Sequence, residues 1–345
     1  MKQPKVSIII PIYNVEPYIT DCLQSVMRQT YAGPMECLLV DDCGNDNSME
    51  IAGQMIAGYR GPIVFRVLRH DYNRGLSAAR NTGMDAATGD YVYFLDSDDW
   101  ISDNCIEKLA EPLQKEQVDI VVGDYKTVGE LPYVLELSLP EGKYQKRPID
   151  DTFCNKGVYV MAVNKLYRKE FLLKHHLSFE EGKIHEDEIL AFELSCIGKT
   201  FYVVREVTYF YRIRENSIVT QQNQLVKIKG YLGVLDSVKS KMSVYDNLDG
   251  IYDYYVFWLK RVFRWISKVD LDEELLSFVR KETAGFLDPI PSVRYLENKH
   301  NRLVYYACKR NQSYTRFQYV TQEYSNHLSG RVMRNVLNLI PTKKA

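Results

Sequence analysis

Residues 91–100 read YVYFLDSDDW, an apolar run that ends on three aspartates within four positions. Aromatic and β-branched residues in such a run are typical of a buried β-strand. Carboxylates crowded at one strand end repel one another, and burying them is costly unless a positive charge compensates. The stretch therefore predicts a buried strand that ends at a cation-binding site.

The chain around this stretch alternates apolar runs with segments of helical periodicity. Apolar runs predict strands at 5–10, 36–40, 63–70, 91–95 and 119–125, and helical spacing predicts helices at 19–27, 49–59, 77–87 and 106–113. Such alternation predicts an α/β fold with a parallel sheet covered by helices on both faces. Ligands bind such sheets at the carboxyl ends of the strands, where the sequence places PIYN, DDCGNDNS, HDYNRG and DSDDW.

Beyond residue 131 the simple alternation stops. The patterns there predict an edge strand at 133–139, a helix at 164–176, an acid-headed helix at 185–198 and a strand at 200–213. After about residue 220 the sequence consists of long helical stretches rich in tyrosine and basic residues. We therefore expect a catalytic domain over 1–220, with a nucleotide-binding half at 1–125 and an acceptor half at 126–220, and a helical region over 221–345.

Composition limits the class of protein. With 345 residues and 46% hydrophobic content, the chain can bury a substantial core. Its 44 basic residues balance 45 acidic ones, so the net charge predicts no nucleic-acid partner. Seven scattered cysteines without a CxxC pair argue against a disulfide framework and a zinc site. The sequence has no signal peptide pattern and no apolar stretch of membrane-spanning length, so we expect a cytoplasmic protein, soluble or peripheral.

Asp96 and Asp98 stand two positions apart in an extended segment, so both side chains can face one ligand. Carboxylates with no histidine or cysteine nearby suit Mg²⁺ or Mn²⁺. Because Mg²⁺ favours sites completed by substrate phosphates, the pair predicts a nucleoside diphosphate ligand. The alternative is a helix N-cap with solvated acids in front of the next helix.

Tyr13 and Asp42 follow the first two predicted strands. Tyr13 offers a flat face for a base, and Asp42 offers an acceptor for an imide N–H, as recognition of uracil requires. Two simpler interpretations stay open. Tyr13 is then a surface aromatic, and Asp41 or Asp42 forms an Asx-type turn before the following helix.

The loops PIYN, VDDCGNDNS, NRGLSAARNTG, YFLDSDDW and HEDE, in this order, resemble the family 2 inverting glycosyltransferases of bacterial polysaccharide biosynthesis. The resemblance covers residues 5–217 and implies the GT-A fold, a Rossmann-like, mostly parallel sheet with helices on both faces. It also implies a nucleotide-sugar donor, usually a UDP-sugar, a divalent cation (Mn²⁺ or Mg²⁺), and inversion at the anomeric carbon. The implied acceptor is a saccharide or a lipid-linked saccharide.

Carried over residue by residue, the resemblance implies a role for each motif. Tyr13 would stack on the base and Asp42 would hydrogen-bond it. Arg80 would line the donor pocket. Asp96 and Asp98 would bind metal and donor sugar, with Asp98 the preferred metal ligand. Asp187 would be the catalytic base. Pro11 and Ser97 join the donor-binding set, and Glu186, Arg212 and Arg214 are candidate pyrophosphate or acceptor contacts. Cys43 and His185 depart from the family pattern, because they stand where glycine is frequent.

The chemistry of sugar transfer explains why these residue types are needed. An acceptor hydroxyl attacks the anomeric carbon as the nucleoside diphosphate leaves, through a transition state with oxocarbenium character. Negative charge builds on the leaving phosphate, and a carboxylate on the opposite face must take the hydroxyl proton. Asp187 is the preferred base, and Glu186 and Glu188 are not excluded by spacing.

The C-terminal region contains aromatic stripes accompanied by basic residues. The aromatic residues are Phe257, Trp258, Phe263 and Trp265, the basic ones Lys260, Arg261, Arg264 and Lys268, and the tail 331–345 is also basic. We expect these stripes to be core or a packing surface against the catalytic domain. The alternative is contact with the inner surface of the cell membrane, which would suit the lipid-linked acceptor that the resemblance implies.

Two other functions compete with a glycosyltransferase. A sugar-nucleotide nucleotidyltransferase would be expected to carry a glycine-rich loop after the first strand, and PIYNVEPY contains no glycine. An inactive transferase domain that acts as a binding module would not need both DSDD and HEDE.

Overall fold

The strand predicted from residues 91–95 lies at the centre of a nine-stranded sheet. The computed structural model describes residues 3–129, 137–153, 157–214 and 223–245, together with isolated positions between 250 and 278. The chain divides into two units, Met1–Gln222 and Asn223–Ala345.

The first half of the sheet consists of four parallel strands. They are β1 (Val6–Ile12), β2 (Met35–Asp41), β3 (Val64–Arg69) and β4 (Tyr91–Phe94), and the helices between them are α1 (Ile19–Met27), α2 (Ser48–Gly58) and α3 (Leu76–Ala86). The spatial order is β3-β2-β1-β4. Because β1 and β4 are buried along their whole length, both faces of the sheet are covered, as the continuous apolar runs predicted.

The second half mixes strand directions. Its elements are β5 (Trp100–Ile101), α4 (Cys105–Ala110), β6 (Ile120–Val128), β7 (Gly142–Lys146), β8 (Lys165–Arg168), α5 (Lys169–Lys174), α6 (Glu186–Cys196) and β9 (Lys199–Arg212), with 3₁₀ turns at Glu111–Gln114 and Asp151–Phe153. The order continues β4-β8-β6-β9-β5, and β7 pairs with β9.

Strand direction decides which loops meet. β8 is antiparallel to both β4 and β6, and β9 is parallel to β6, so β6 and β9 run in the same direction as the first four strands. Six of the nine strands therefore end at one edge of the sheet. The predicted α/β class with a mostly parallel sheet is confirmed.

Some local predictions were wrong. The predicted helix at 164–176 begins only at Lys169, because Leu166 and Tyr167 are buried in β8 between two neighbouring strands. β1 extends two residues past the predicted strand end: Pro11 is tolerated there because β1 pairs with β4 only as far as Ile9. Of the edge strand predicted at 133–139, residues 133–136 lie outside the described residues, and 137–139 are not in a strand.

The second unit is helical where it is described. α7 (Gln224–Met242) starts at Asn223, whose side chain accepts a hydrogen bond from the Val226 amide (3.2 Å), and Tyr255 and Trp258 are buried. Phe263, Trp265, Lys260, Arg264, Lys268 and the basic tail lie outside the described residues. Within the described ranges, none of the helices has the length and apolarity needed to cross a membrane.

Candidate active site

Each of the three aspartates after β4 has a different partner. Asp96 accepts a hydrogen bond from Arg80 Nη2 (2.7 Å), and Asp98 accepts one from Arg214 Nε (2.5 Å). Asp99 turns into the core, where it accepts hydrogen bonds from the Tyr209 hydroxyl (2.5 Å) and the Arg212 amide (2.7 Å). The positive charge expected at this strand end is supplied by arginine side chains in this structure.

The arginine partners do not fully offset the burial and mutual repulsion of these carboxylates, because the pKa values of Asp98 and Asp99 stay above their ordinary values. Burial raises the pKa of Asp98, and the charge of Asp96 raises it further, while Arg214 opposes both effects. Burial and the two neighbouring aspartates raise the pKa of Asp99 well above its ordinary value. An additional cation at Asp96 and Asp98 would therefore be stabilised by this loop.

Arg80 connects the aspartate loop to the first turn of α6. From α3, its Nη1 donates to Glu186 Oε1 (2.5 Å) and its Nη2 donates to Asp96, while the guanidinium lies 5.1 Å from the centre of the Phe179 ring. Burial alone would lower the pKa of Arg80, but the charges of Asp96 and Glu186 raise it above its ordinary value. Arg80 is only 3% exposed. It therefore holds two loops together and offers little open surface to a donor.

The acids at the start of α6 differ in exposure. Glu186 and Glu188 are buried, and Glu186 is already bonded to Arg80. Asp187 keeps part of its surface accessible, and its Oδ1 accepts a hydrogen bond from the Glu188 amide (2.9 Å). Burial raises the pKa of Asp187, and the charges of Arg80 and Lys165 oppose this shift. Of the three acids, Asp187 is the one whose side chain is not buried.

The loops after β1 and β2 form the other part of the site. Tyr13 is 44% exposed, so its ring is accessible to a ligand. Asp42 is 2% exposed, and its carboxylate accepts hydrogen bonds from the amides of Arg74 and Gly75, both at 2.8 Å. His70 Nδ1 lies 2.7 Å from the same carboxylate. Asp42 thus fixes the connection between β3 and α3, and sequence reasoning missed these partners.

Asp41 forms the Asx-type turn that was one of the two interpretations left open by the sequence. Its Oδ1 accepts a hydrogen bond from the Cys43 amide (3.1 Å), two residues further on, which defines an Asx-type turn. Cys43 (φ 60°) and His185 (φ 65°) both lie in the left-handed region of backbone conformation. This region favours glycine, so both positions keep the backbone that the family pattern requires, at some cost in strain.

The remaining predicted residues also lie around the aspartate loop. Arg212 Nε donates to the carbonyl oxygen of Asp98 (2.9 Å), and its guanidinium lies 4.6 Å from the Trp100 ring centre. Pro11 and Ser97 are buried, so their side chains offer little surface to a ligand. Arg212 is the last residue of β9 and Arg214 lies two positions beyond it, so this strand end brings positive charge to the aspartate loop after β4.

The residues present fit a divalent cation. In the described part of the chain, no group of three or more His, Cys, Asp and Glu side chains is arranged to hold a metal. Asp99 is bonded to the Tyr209 hydroxyl instead. Asp96 and Asp98 are partly accessible carboxylates with the oxygen donors that Mg²⁺ and Mn²⁺ prefer. A site with two protein ligands leaves positions for oxygen atoms of a bound diphosphate.

The chain resembles known glycosyltransferases in sequence. The family model "Glycosyl transferase family 2" matches residues 7–175. Glycosyltransferase GlyG of Streptococcus pneumoniae is 30% identical over 64% of this chain and 74% of its own length. Glycosyltransferase GlyA of the same organism is 32% identical over 62% of this chain, and the match spans only 31% of GlyA.

A solved structure shares the fold. The crystal structure of Staphylococcus aureus TarS residues 1–349 in complex with UDP-GlcNAc superposes with a TM-score of 0.75 and 19% identity, covering 93% of this chain and 92% of that one. In sequence, TarS, named poly(ribitol-phosphate) beta-N-acetylglucosaminyltransferase, is 27% identical over 60% of this chain and 35% of its own length. With its matching motifs, fold and relatives, the chain belongs to glycosyl transferase family 2.

Proposed function

We propose that this glycosyltransferase moves a sugar from a UDP-sugar to an acceptor hydroxyl, with inversion at the anomeric carbon. The observation that carries the proposal is the Arg80 bridge, which ties the aspartate loop after β4 to the α6 turn that bears Asp187. Leaving-group stabilisation and proton removal take place on the two sides of one sugar. The Arg80 bridge supports the proposal because it joins the loop of Asp96 and Asp98 to the helical turn of Asp187.

Donor binding is assigned to the loops after β1 and β2. Tyr13 stacks on uracil, and Asp42 accepts the imide N–H with a carboxylate whose position is fixed by the amides of Arg74 and Gly75. Because this carboxylate is held in place before the donor arrives, little side-chain entropy is lost on binding.

The diphosphate is assigned to the aspartate loop and the end of β9. Asp98, assisted by Asp96, would hold Mg²⁺ or Mn²⁺, which when bound acts as a Lewis acid on the leaving phosphate. Arg214 and Arg212 provide further positive charge beside Asp98. The leaving nucleoside diphosphate is thereby stabilised as its charge develops.

Asp187 is assigned as the general base. The acceptor oxygen forms a bond to the anomeric carbon, the bond from that carbon to the phosphate oxygen breaks, and the hydroxyl proton passes to the Asp187 carboxylate. Burial raises the pKa of Asp187, which makes the carboxylate a stronger base, while Arg80 and Lys165 favour its ionised form.

The acceptor is assigned by analogy with relatives. The name of TarS specifies a poly(ribitol-phosphate) acceptor, and its crystal contained UDP-GlcNAc. By this analogy, the acceptor of the present chain is a saccharide or lipid-linked saccharide of a bacterial surface polymer, and the reaction takes place in the cytoplasm or at the inner face of the membrane.

Ligand-dependent thermal unfolding tests the donor assignment. A ligand that binds only the native state raises the unfolding midpoint by mass action. We expect UDP with Mn²⁺ or Mg²⁺ to raise the midpoint more than GDP, ADP or CDP does, and a chelator to reduce the rise. Absence of any nucleotide response at saturating concentration would contradict the proposal, and selectivity for another nucleotide would overturn the assignments of Tyr13 and Asp42.

A pair of tyrosine variants sharpens this experiment. Tyr13→Ala should reduce the response to UDP and leave the ligand-free midpoint nearly unchanged, because the side chain is 44% exposed. Tyr72→Ala is the matched control, since Tyr72 is 67% exposed on the loop after β3 and has no assigned contact with the base. An equal effect of the two substitutions would argue against stacking on Tyr13.

A further inference from the structure

A buried histidine contacts the carboxylate assigned to uracil and has no role in the steps described above. His70 is the first residue after β3, and its side chain is only 4% exposed. Its Nδ1 lies 2.7 Å from Asp42 Oδ1, and its Nε2 lies 2.9 Å from the Thr82 hydroxyl oxygen. Both ring nitrogens therefore have an oxygen partner within hydrogen-bond distance, which gives the ring one defined orientation.

The contacts of His70 connect three segments at the edge of the sheet. Asp42 follows β2, His70 follows β3, and Thr82 lies in the middle of α3. The His70 amide also donates to the Asp41 carbonyl oxygen (2.9 Å), which extends the pairing of β3 with β2 by one residue. Because the backbone and both ring nitrogens of His70 are bonded, the position of the ring is fixed before any ligand binds.

The partners of the ring decide which nitrogen carries a proton. An ionised carboxylate only accepts hydrogen bonds, so His70 Nδ1 must donate to Asp42. The Thr82 hydroxyl donates to Nε2 when the ring is neutral and accepts from it when the ring is charged. In either state, His70 Nδ1 is protonated and presents an N–H to the Asp42 carboxylate.

The hydrogen bonds of the Asp42 carboxylate are divided unequally between its oxygens. A carboxylate has roughly four acceptor sites, shared by its two oxygens. Among the residues that the structure describes, His70 Nδ1 and the Arg74 amide donate to Oδ1, and the Gly75 amide donates to Oδ2. The acceptor capacity of Oδ1 is therefore used, and Oδ2 can accept a further hydrogen bond.

This division gives His70 a role in donor selection. We propose that His70 is a positioning residue that sets the base selectivity of the donor site: by holding Asp42 Oδ1, it leaves Oδ2 to accept the imide N–H of uracil. Thr82 holds the ring in the orientation that this bond requires. The inference rests on the proposed role of Asp42 in uracil recognition.

Two amide substitutions separate the two ends of the His70 ring. Counted in bonds from the backbone, the amide nitrogen of asparagine corresponds to Nδ1 and that of glutamine corresponds to Nε2. His70→Asn therefore keeps an N–H donor for Asp42, whereas His70→Gln keeps one for Thr82 alone. His175→Gln is the control for the substitution itself, because His175 follows α5 and packs on Phe171 (4.8 Å between ring centres).

Calorimetric titration of the full chain with UDP and with CDP, each with Mn²⁺, tests the proposal. Cytosine has no imide N–H, so the ratio of the two dissociation constants measures recognition of that group. We expect His70→Gln to lower the preference for UDP by about tenfold, the scale of one hydrogen bond to a charged group. His70→Asn and His175→Gln should keep the preference.

The outcomes separate this proposal from the donor assignment. If the native protein prefers UDP, an unchanged preference in folded His70→Gln would overturn the role of His70, and so would equal losses in the two amide variants. A native protein without a preference for UDP would instead refute the assignment of Asp42 to uracil, and the proposal would fail with it.

The protonation of the ring can be measured without any substitution or ligand. Nitrogen-15 NMR of the native protein distinguishes a protonated ring nitrogen from an unprotonated one, and the His70 signals are assigned through its backbone. We expect Nδ1 to carry a proton, because its partner is a carboxylate. An unprotonated Nδ1 at neutral pH would overturn the proposal even if no variant of His70 folds.

Discussion

Replacing Asp187 with asparagine removes the proposed base and keeps the size of the side chain. We expect Asp187→Asn to lower turnover by about 10²- to 10⁴-fold, the usual contribution of a positioned general base. Because burial raises the pKa of Asp187, its ionised form is stabilised less in the folded protein than in the unfolded chain, so the variant should unfold at an equal or higher temperature. Turnover of a UDP-sugar and the unfolding midpoint are the two measurements.

Glu188→Gln is the control for this experiment, since Glu188 is the next residue of the same helical turn and is buried. It should retain most of the turnover, and both variants should retain the response of the midpoint to UDP. Near-normal turnover in Asp187→Asn would remove Asp187 from the mechanism, and loss of turnover in Glu188→Gln alone would move the role to its neighbour.

The role of a single residue could be predicted from the sequence where one short motif contains all the side chains that the role requires. The type and spacing of Asp96 and Asp98 identify them as candidate metal ligands. The Arg80 bridge was not predictable, because Arg80 and Glu186 are 106 positions apart and only the fold brings them together. The burial of Lys165 was not predictable for the same reason, because within the sequence NKLYRK it looks like any exposed basic residue.

At the scale of elements, Glu36 ties several segments together at the edge of the sheet opposite the site. From β2, its Oε1 accepts hydrogen bonds from the Ser7 hydroxyl of β1 and the Thr88 amide, both at 2.6 Å. Lys5 Nζ lies 3.7 Å from its Oε2. Burial would raise the pKa of Glu36, but these hydrogen bonds and the lysine charge lower it from 4.5 to about 2.

This shift predicts a dependence of stability on pH. Because the folded pKa is below the unfolded one, the contribution of Glu36 is complete above about pH 4.5 and is lost as the pH falls toward 2. Glu36→Gln should therefore reduce the free energy of unfolding by about 3 kcal/mol at pH 7. The difference between native and variant protein should shrink at pH 3, as measured by urea unfolding. A difference that is the same at both pH values would contradict the assigned cause, and Glu50→Gln, at an exposed position of α2, is the control.

Helices and strands could be predicted where the hydrophobic pattern and its length fit only one type of secondary structure. The continuous apolar runs that became β1, β2 and β4 are too short for helices and are buried on both faces, so their period and length identified them. β8 was missed because KLYR fits a helix or a strand, and its pairing with both β4 and β6 decides the outcome. β5 has two residues, and β7 has the polar sequence GKYQK of a sheet edge, so neither carries a strong pattern.

At the scale of the whole molecule, strand direction creates the site. The loops after β1, β2, β4 and β9 come from distant parts of the sequence, and they meet because these strands run the same way. The order of motifs allowed the first three to be placed at one edge from the sequence alone. The end of β9 reaches the same edge because β8 is antiparallel to both β4 and β6, and β9 is parallel to β6. No local sequence pattern predicts these pairings.

The division of the chain predicts where donor binding takes place. Every residue assigned here to the donor, the cation and the base lies in the unit Met1–Gln222, which contains β1 to β9. A protein ending at Gln222 should therefore retain the rise in unfolding midpoint that UDP and Mn²⁺ produce in the full chain. Circular dichroism establishes whether this shortened protein is folded.

The same shortened protein with Asp98→Asn separates nucleotide binding from the contribution of the cation. It should lose the metal-dependent part of the response to UDP, while the part due to Tyr13 and Asp42 remains, because these residues lie in the loops after β1 and β2. If the shortened protein is folded and does not respond to UDP, residues after Gln222 must take part in donor binding.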